Sequence, residues 1–401
     1  MIKKNYSLFG LPDKVEFCKK CVISNQRPNS VVEFKNKDDQ KKGIKITKNV
    51  CEACNYQEIK NTINWDKREI ELKKILNKFR KKSGYDCVVP GSGGKDSSFT
   101  AHILKTKYGM NPLTVTWAPH LYTDIGWKNF INWSHVGGLD NILFTPNGKL
   151  HRLLTKLAFT NLLHPFQPFI IGQRIIGPKI AAKFNIPLVI YGENQAEYGN
   201  SIKENFNPLM SVDFFSNKNS QNLNFGKIPL KEIMKKYNYS LNDFEPYLPL
   251  KKDEVEKNNI KVFYLGYFLK WDPQECYYYA AQNTGFRANT ERTQGSYSKY
   301  SSIDDKIDPF HYYTTYIKFG LGRASYDASQ EIRNDKITRE EGIQLVKDYD
   351  PEFPKKYFQD FLDYINITEK EFNNIVNGFR SPHLWKLNKK KWELKLSVHK
   401  R

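Results

Sequence analysis

Residues 85–98 read Y-D-C-V-V-P-G-S-G-G-K-D-S-S. The first half, 85–89, is a short apolar run of the kind a buried strand leaves, and Pro90 and Gly91 stop it. The second half sets Gly91, Gly93 and Gly94 among serines, one lysine and one aspartate. Glycine lets the main chain turn tightly and present several N–H groups together, and a helix starting near Ser97 adds the positive end of its dipole. Such a loop suits phosphate. The common order G-x-x-x-x-G-K-[ST] is absent, because Asp96 follows Lys95. A different nucleotide chemistry is expected.

Outward from the loop, strand and helix signals alternate. Before it, Leu72, Ile75, Leu76 and Phe79 recur at helical spacing within 64–82, and Asn64 or Asp66 can cap the start. After it the pattern predicts a helix over 97–108 ended by Gly109, a strand over 113–117, a broken helix over 125–138 and a strand over 141–145. Helices over 149–163 and 174–185 follow, then a strand over 188–191 entered through Pro187. This order predicts an α/β fold with a parallel sheet covered on both faces and its chemistry at the carboxyl ends of the strands. Glu193 and Asn194, in G-E-N-Q-A-E-Y-G, fall in such a place; a plain solvated loop is the alternative.

The stretch 199–259 is rich in Asn and Lys with weak periodicity and reads as an insertion. The fold resumes with the apolar run 260–269 and a helix start at Trp271-Asp272-Pro273. Residues 285–342 are dense in polar groups mixed with tyrosines, which suits a sugar or nucleotide site as well as surface salt bridging. His311 is the best-placed histidine there, with a structural role as its alternative. The end is predicted helical over 338–377, with capping sequences T-R-E-E and T-E-K-E, and closes on a half-buried strand through Trp392, Leu394, Leu396 and Val398.

Four of the six cysteines lie in the first 60 residues, as C-K-K-C at 18–21 and C-E-A-C at 51–54. Each spacing lets two thiolates reach one ion, so Cys18, Cys21, Cys51 and Cys54 predict a four-cysteine zinc unit of ribbon or treble-clef type, with short strands over 31–35 and 43–47. Four thiolates leave no open position for substrate, which makes the metal structural. An iron–sulfur site and a pair of redox dithiols are the competing readings. The expected units are 1–62 for the zinc unit, 63–335 for the sheet domain with its insertion at 199–259, and 336–401 for a C-terminal helical subdomain and terminal strand.

With 401 residues the chain can bury a substantial core. No run of 18 apolar residues occurs, and M-I-K-K-N-Y-S-L-F-G carries no long apolar segment, so no membrane span and a cytoplasmic location are expected. The net charge of +20 raises the prospect of RNA, but the excess is lysine scattered among Asn and Ile rather than an Arg and aromatic patch. Nucleic acid is therefore not the expected partner.

S-G-G-K-D-S at 92–97 resembles the pyrophosphate loop (PP-loop) of the ATP pyrophosphatases. The resemblance implies cleavage of ATP between its α and β phosphates, with AMP passing to a substrate oxygen. Ser92, Gly93, Gly94, Lys95, Asp96, Ser97 and Ser98 would hold pyrophosphate, Lys95 neutralising charge and Asp96 serving Mg²⁺. Further motifs extend the likeness: Y-G-E-N at 191, L-G-Y-F-x-x-W-D at 265 and Y-S-K-Y-S-S-I-D-D-K-I-D-P-F-H-Y-Y-T-T-Y-I-K-F-G-L-G-R-A-S-Y-D-A-S-Q-E-I-R at 297–333. Together with the two C-x-x-C pairs they resemble the N-acetyl sugar amidotransferase family of lipopolysaccharide O-antigen and flagellin-glycan synthesis. That family implies conversion of a sugar acetamido group to acetamidino, through an adenylated imidate and ammonia. Glu193 and Asn194 would face the intermediate, and Tyr297, Lys299, Asp304, Asp305, His311, Lys318 and Arg323 would line the sugar side. With no Cys-His-Glu glutaminase constellation in the chain, ammonia would come from separate glutamine amidotransferase and cyclase-like subunits. A tRNA-modifying thiolase shares the loop chemistry and is the rival, but needs a reactive cysteine or an iron–sulfur cluster to deliver sulfur.

Overall fold

Five strands, β1 (Cys87–Pro90), β2 (Pro112–Trp117), β3 (Asp140–Phe144), β4 (Leu188–Tyr191) and β5 (Lys261–Tyr264), form one sheet in the order β5-β4-β1-β2-β3. Every neighbouring pair is parallel. The chain lays β2 and β3 on one side of β1, then returns to lay β4 and β5 on the other. Connections after β1 and β4 thus diverge, and a crevice opens between their carboxyl ends. The computed structural model describes residues 8–28, 43–193, 195–198, 202, 206–217 and 223–400. The expected strand over 31–35 lies outside them.

β1 and β2 are buried along their whole length; β1 reads as a continuous apolar run, and in β2 the buried Thr114 and Thr116 alternate with Leu113, Val115 and Trp117. Alternate side chains still separate: Val88, Val115, Val189 and Val262 enter one core, while Cys87, Val89, Leu188 and Ile190 enter another. Helices α1 (Glu52–Thr62) and α2 (Trp65–Phe79) precede the sheet, and α3 (Lys95–Thr106), α4 (Asp124–His135), α5 (Gly148–Leu162) and α6 (Gln167–Lys183) connect its first four strands. Asn64 caps α2 by accepting from the Lys67 N–H, and Leu72 and Leu76 put its apolar face on the second core. Each such buried leucine is worth roughly 1.5–3 kcal/mol. α5 and α6 cover the other face.

The rest comprises α7 (Leu230–Tyr237), α8 (Pro273–Asn283), α9 (Asp308–Phe319), α10 (Arg323–Arg333), α11 (Arg339–Tyr349), α12 (Phe358–Ile365), α13 (Glu369–Gly378) and a hairpin of β6 (Trp385–Asn388) and β7 (Lys391–Leu394), with shorter pieces between. The architecture is thus a parallel-sheet α/β domain with the glycine-rich loop after its central strand, an N-terminal four-cysteine unit and a mainly helical C-terminal region, as expected. Thr338 and Thr368 both close capping boxes, with Glu341 and Glu371.

Several local expectations change. α6 starts at Gln167 rather than 174, because Pro168 sits in its first turn, where a missing N–H costs nothing. α4 runs unbroken, started by the Thr123 hydroxyl accepting from the Gly126 N–H. At the end of the chain, positive φ angles at Lys389 and Lys390 turn the backbone into a hairpin. Leu394 and Val398 are buried as expected, whereas Trp392 and Leu396 are exposed and Trp385 supplies the buried aromatic ring.

Candidate active site

The loop after β1 turns at Gly93, whose φ of +79° belongs to the left-handed region. A Cβ there would stand 2.9 Å from the Phe130 Cα, so α4 reinforces the choice of glycine. Gly94, in extended conformation, caps α3, which begins at Lys95 rather than at 97. Asp96 therefore lies in the first helical turn, and several unpaired N–H groups of that turn face the crevice end of the sheet. The Ser97 hydroxyl donates to the Gly94 carbonyl at 3.1 Å and the Ser98 hydroxyl to the Gly93 carbonyl at 3.2 Å. Ser98 is buried and braces the loop from within.

Two cavities open from this loop. The first, of about 290 Å³, is bounded by Gly91, Ser92, Gly94, Asp96 and Ser97, by Tyr191 at the end of β4 with Gly192 and Glu193 after it, and by Gln173 and Arg174 of α6. The second, of about 420 Å³, is bounded by Lys95, Asp96, Glu193, Tyr198 and Trp271, by His311, Tyr312 and Thr315 of α9, by Arg323, Tyr326, Asp327 and Gln330 of α10, and by Arg27. Asp96, Ile170 and Glu193 belong to both. Gly192 is small for a reason: a Cβ would meet the Trp271 ring at 2.9 Å.

Charge at the junction is concentrated. Lys95 Nζ lies 2.6 Å from Asp96 Oδ2. Burial alone would push the lysine down, but the charge and hydrogen bond of Asp96 outweigh it and the ammonium is held above its ordinary range. Asp96 Oδ1 is buried with no hydrogen-bond partner. The Glu193 carboxyl is raised by burial and then by the Asp96 charge, with Lys95 acting in the opposite direction. An unpaired buried carboxylate oxygen beside a second carboxylate fits a hard divalent ion such as Mg²⁺.

The residues expected on the sugar side divide among several places. Arg323 points into the second cavity, paired with Asp327 at 2.9 Å and stacked on Tyr312. His311 also lines it; burial, then Arg323 and Lys318, push its imidazole down to about 3, so the ring is neutral and its Nδ1 has no hydrogen-bond partner. Asp304 hydrogen-bonds Ser92 of the loop. Asp305 is a buried anchor, accepting from His120 N and Nδ1 at 2.7 Å and from Ile307 N at 2.9 Å. Lys318 points to the Leu162 carbonyl at 2.7 Å, at the end of α5. Tyr297 and Lys299 line a third cavity, of about 910 Å³. Asn194 lies outside the described residues. Helices α9 and α10 thus bring His311 and Arg323 to the second cavity, whereas Lys318 of α9 turns toward α5, and Tyr297 and Lys299, in the irregular chain before α9, face another cavity.

Other lining residues were given no role from the sequence. Tyr198 lies in the predicted loop after β4, and Asp327 and Gln330 follow Arg323 by one and two helical turns on the same face, a spacing that could have marked them. Arg174 faces the first cavity from α6. Nothing local marks Arg27, which arrives from the four-cysteine unit and stacks on Tyr326 at 4.5 Å.

In that unit the four cysteine sulfurs lie within 4.8 Å of one another and all are buried. Cys18 Sγ accepts backbone N–H groups of Lys20, Cys21 and Cys51 at 3.4–3.5 Å, as a thiolate knuckle does around a metal. Cys51 ends a two-residue strand and Cys54 lies in the first turn of α1. The donor set fits zinc, with no position left for a substrate.

Comparison with known proteins places one part of the chain. Residues 294–398 match the family model described as LPS biosynthesis protein WbpG-like, C-terminal domain. The last quarter of the chain is WbpG-like. The WbpG-like domain supplies His311, Tyr312, Arg323, Tyr326 and Asp327 to the second cavity. It bears out the resemblance to a lipopolysaccharide-synthesis family read from the motif at 297–333. The chain is also 38% identical over 69 residues to the uncharacterized protein MJ1599 of Methanocaldococcus jannaschii, covering 17% of this chain and 24% of that protein. It thus spans about a quarter of the length of the curated relative it matches. Among solved structures it is similar to an NH3-dependent NAD synthetase from Campylobacter jejuni in complex with the nitrate ion, at 15% identity over 56% of this chain and 94% of that one, with a TM-score of 0.27. No helix among the described residues is long and apolar enough to cross a membrane.

Proposed function

We propose that the protein is an ATP-dependent amidotransferase that converts an acetamido group of a sugar to an acetamidino group, forming AMP and pyrophosphate. The observation that carries this reading is the shared boundary: Asp96 and Glu193 line both the loop cavity and the cavity beside it. A transfer of AMP needs a nucleotide and an acceptor to meet at one point, and these carboxylates mark it.

ATP would take the first cavity, its outer phosphates against Ser92, Gly94 and Ser97 and the start of α3, with Arg174 toward the nucleotide. Mg²⁺ held by Asp96 and Glu193 would screen the phosphate charge. The acetamido oxygen, presented from the second cavity, attacks the α phosphorus and the bond to pyrophosphate breaks. Lys95 stabilises the charge that moves to the leaving oxygens. Ammonia then adds to the imidate carbon and the C–O bond to AMP breaks, leaving an amidinium. Tyr312, Tyr326 and Trp271 offer rings to a pyranose face, and Asp327 and Gln330 offer polar groups to its hydroxyls. The WbpG-like domain supports the sugar as acceptor.

All six cysteines are buried, so none is placed as an exposed glutaminase nucleophile or a sulfur carrier. That favours ammonia from separate glutamine amidotransferase and cyclase-like subunits and disfavours the thiolase reading. The test is mass spectrometry of acetamido sugars, nucleotide-linked and nonulosonic, after incubation with ATP, Mg²⁺ and ammonium. The expected result is the mass change of O replaced by NH together with AMP. Cleavage of ATP only to ADP, or pyrophosphate release stimulated by transcript RNA and not by any sugar, would overturn the reading.

A further inference from the structure

We propose that Lys60 and Glu197 are positioning residues that couple the four-cysteine unit to the segment bearing Glu193 and Tyr198, so that the metal site sets one wall of the reaction cavity. The inference rests on the two cavities being the reaction site, but its test needs no substrate.

Cys51 stands at the N-cap of α1, which carries Cys54 in its first turn and ends two residues beyond Lys60, so the metal unit fixes the helix at one end. Lys60 leaves the other end with no solvent exposure. Its Nζ donates to the Trp271 carbonyl at 2.7 Å and lies 2.8 Å from Glu197 Oε1. Glu197 sits in the turn Gln195–Tyr198, four residues after Glu193, and is itself buried. Tyr198 next to it lines the second cavity and hydrogen-bonds Glu193. Trp271 lines the same cavity and presses on Gly192. One ammonium therefore ties α1 to both neighbours of Glu193.

A third element closes the arrangement. Arg333, the last residue of α10, donates to the Glu197 carbonyl at 3.1 Å. The start of that helix supplies Arg323, Tyr326 and Asp327 to the cavity. Arg339, at the start of α11, donates to the Cys18 and Cys21 carbonyls at 3.3 Å, so the WbpG-like domain grips the knuckle as well. A charge with no access to water keeps its place only while its counter-charge does. A shift of α1 after metal loss must therefore move Glu197, and with it Tyr198.

The test measures amide hydrogen exchange over 193–198 in the full-length protein, metal-loaded and chelated, for the wild type and for Lys60→Met/Glu197→Gln. The double replacement removes both charges together, so neither is left buried alone. In the wild type, chelation should accelerate exchange over 193–198 at least tenfold. In the loaded double variant exchange should already be that fast, and chelation should add less than twofold. The thiolate-to-metal band of the Co²⁺-substituted variant should match wild type, showing the metal site intact. Lys60→Arg, which keeps the charge, should restore slow exchange. Exchange over 193–198 that is indifferent to metal in the wild type, or that responds to metal equally in the double variant, would overturn the proposal. If chelation unfolds the whole chain, the loaded variants decide: slow exchange in Lys60→Met/Glu197→Gln rejects the coupling.

Discussion

Asp96 and Glu193 follow the neighbouring strands β1 and β4, and each lines both cavities. Glu193 feels Asp96, whose charge is the main influence after burial in raising the glutamate carboxyl. Lys95 pairs with Asp96 Oδ2, while Asp96 Oδ1 is buried without a hydrogen-bond partner. In the proposed reading a divalent ion would take that oxygen.

Asp96→Asn should therefore remove metal-dependent pyrophosphate release, by about 100-fold or more, the scale of losing a group aimed at transition-state charge. The fold should hold, because the side chain is about a third exposed, at 36%. Pyrophosphate release and a thermal melt on the same sample check both parts. Full turnover in the variant would remove the metal role.

Glu193 gives a pH signature. Its carboxyl is raised from 4.5, so on acidification it takes up a proton at a higher pH than an ordinary glutamate. In the metal-free protein the Glu193 carboxyl should titrate above the ordinary glutamate position, and Mg²⁺ should draw it down, because a bound cation favours the ionised form. Glu193→Gln should lack this titration and form AMP slowly. Carboxyl titration by NMR with and without Mg²⁺ is the measurement, and a titration that Mg²⁺ leaves unmoved would contradict the assignment.

Asp308, at the start of α9, carries a second pH effect, on stability. Burial, partly offset by Arg323 and Ser302, pushes its carboxyl from 3.8 up to about 7. The folded chain then binds a proton that the unfolded chain has released, so this group's contribution is complete below about pH 4 and is lost as pH rises through about 7. That difference is worth about 4 kcal/mol for a fully buried group, and the partial exposure of the side chain reduces it to roughly 2. Asp308→Asn should thus unfold less readily than wild type at pH 8 and lose that advantage toward pH 4. Denaturant melts at the two values decide it.

What the sequence revealed and what it hid divide by range. β4 is found at 188–191, and the caps Asn64, Thr338 and Thr368 stand where the pattern predicts them, because an apolar alternation or a capping side chain is decided by a few adjacent residues. The loop at 92–98 was legible for the same reason. Lys318 was not: its place on α9 is local, but the Leu162 carbonyl it meets belongs to a helix 156 residues away. Tyr297 and Lys299 share a motif with Asp304 yet face another cavity, because the chain between them is a run of bends with Ser302 at positive φ. Arg27 is the extreme case, since a disposition toward Tyr326 exists only after the four-cysteine unit docks on α10.

Arg27 and Arg174 offer a crossed test of the two cavities. Arg174 borders only the first and Arg27 only the second. Each is a cation beside a site meant for a polar, oxygen-rich ligand, and loss of a hydrogen bond from a charged group costs about 1.5–3 kcal/mol, or roughly 10–100-fold in apparent affinity. Arg174→Ala should raise the KM for ATP on that scale and leave the KM for the acceptor within about twofold, while Arg27→Ala should do the reverse. Because Arg27 stacks on Tyr326 rather than bracing the loop, its removal should also leave ATP binding by calorimetry unchanged. If both variants weakened ATP alone, the second cavity would be part of the nucleotide site, and the acceptor would have to approach from the Tyr297 side instead.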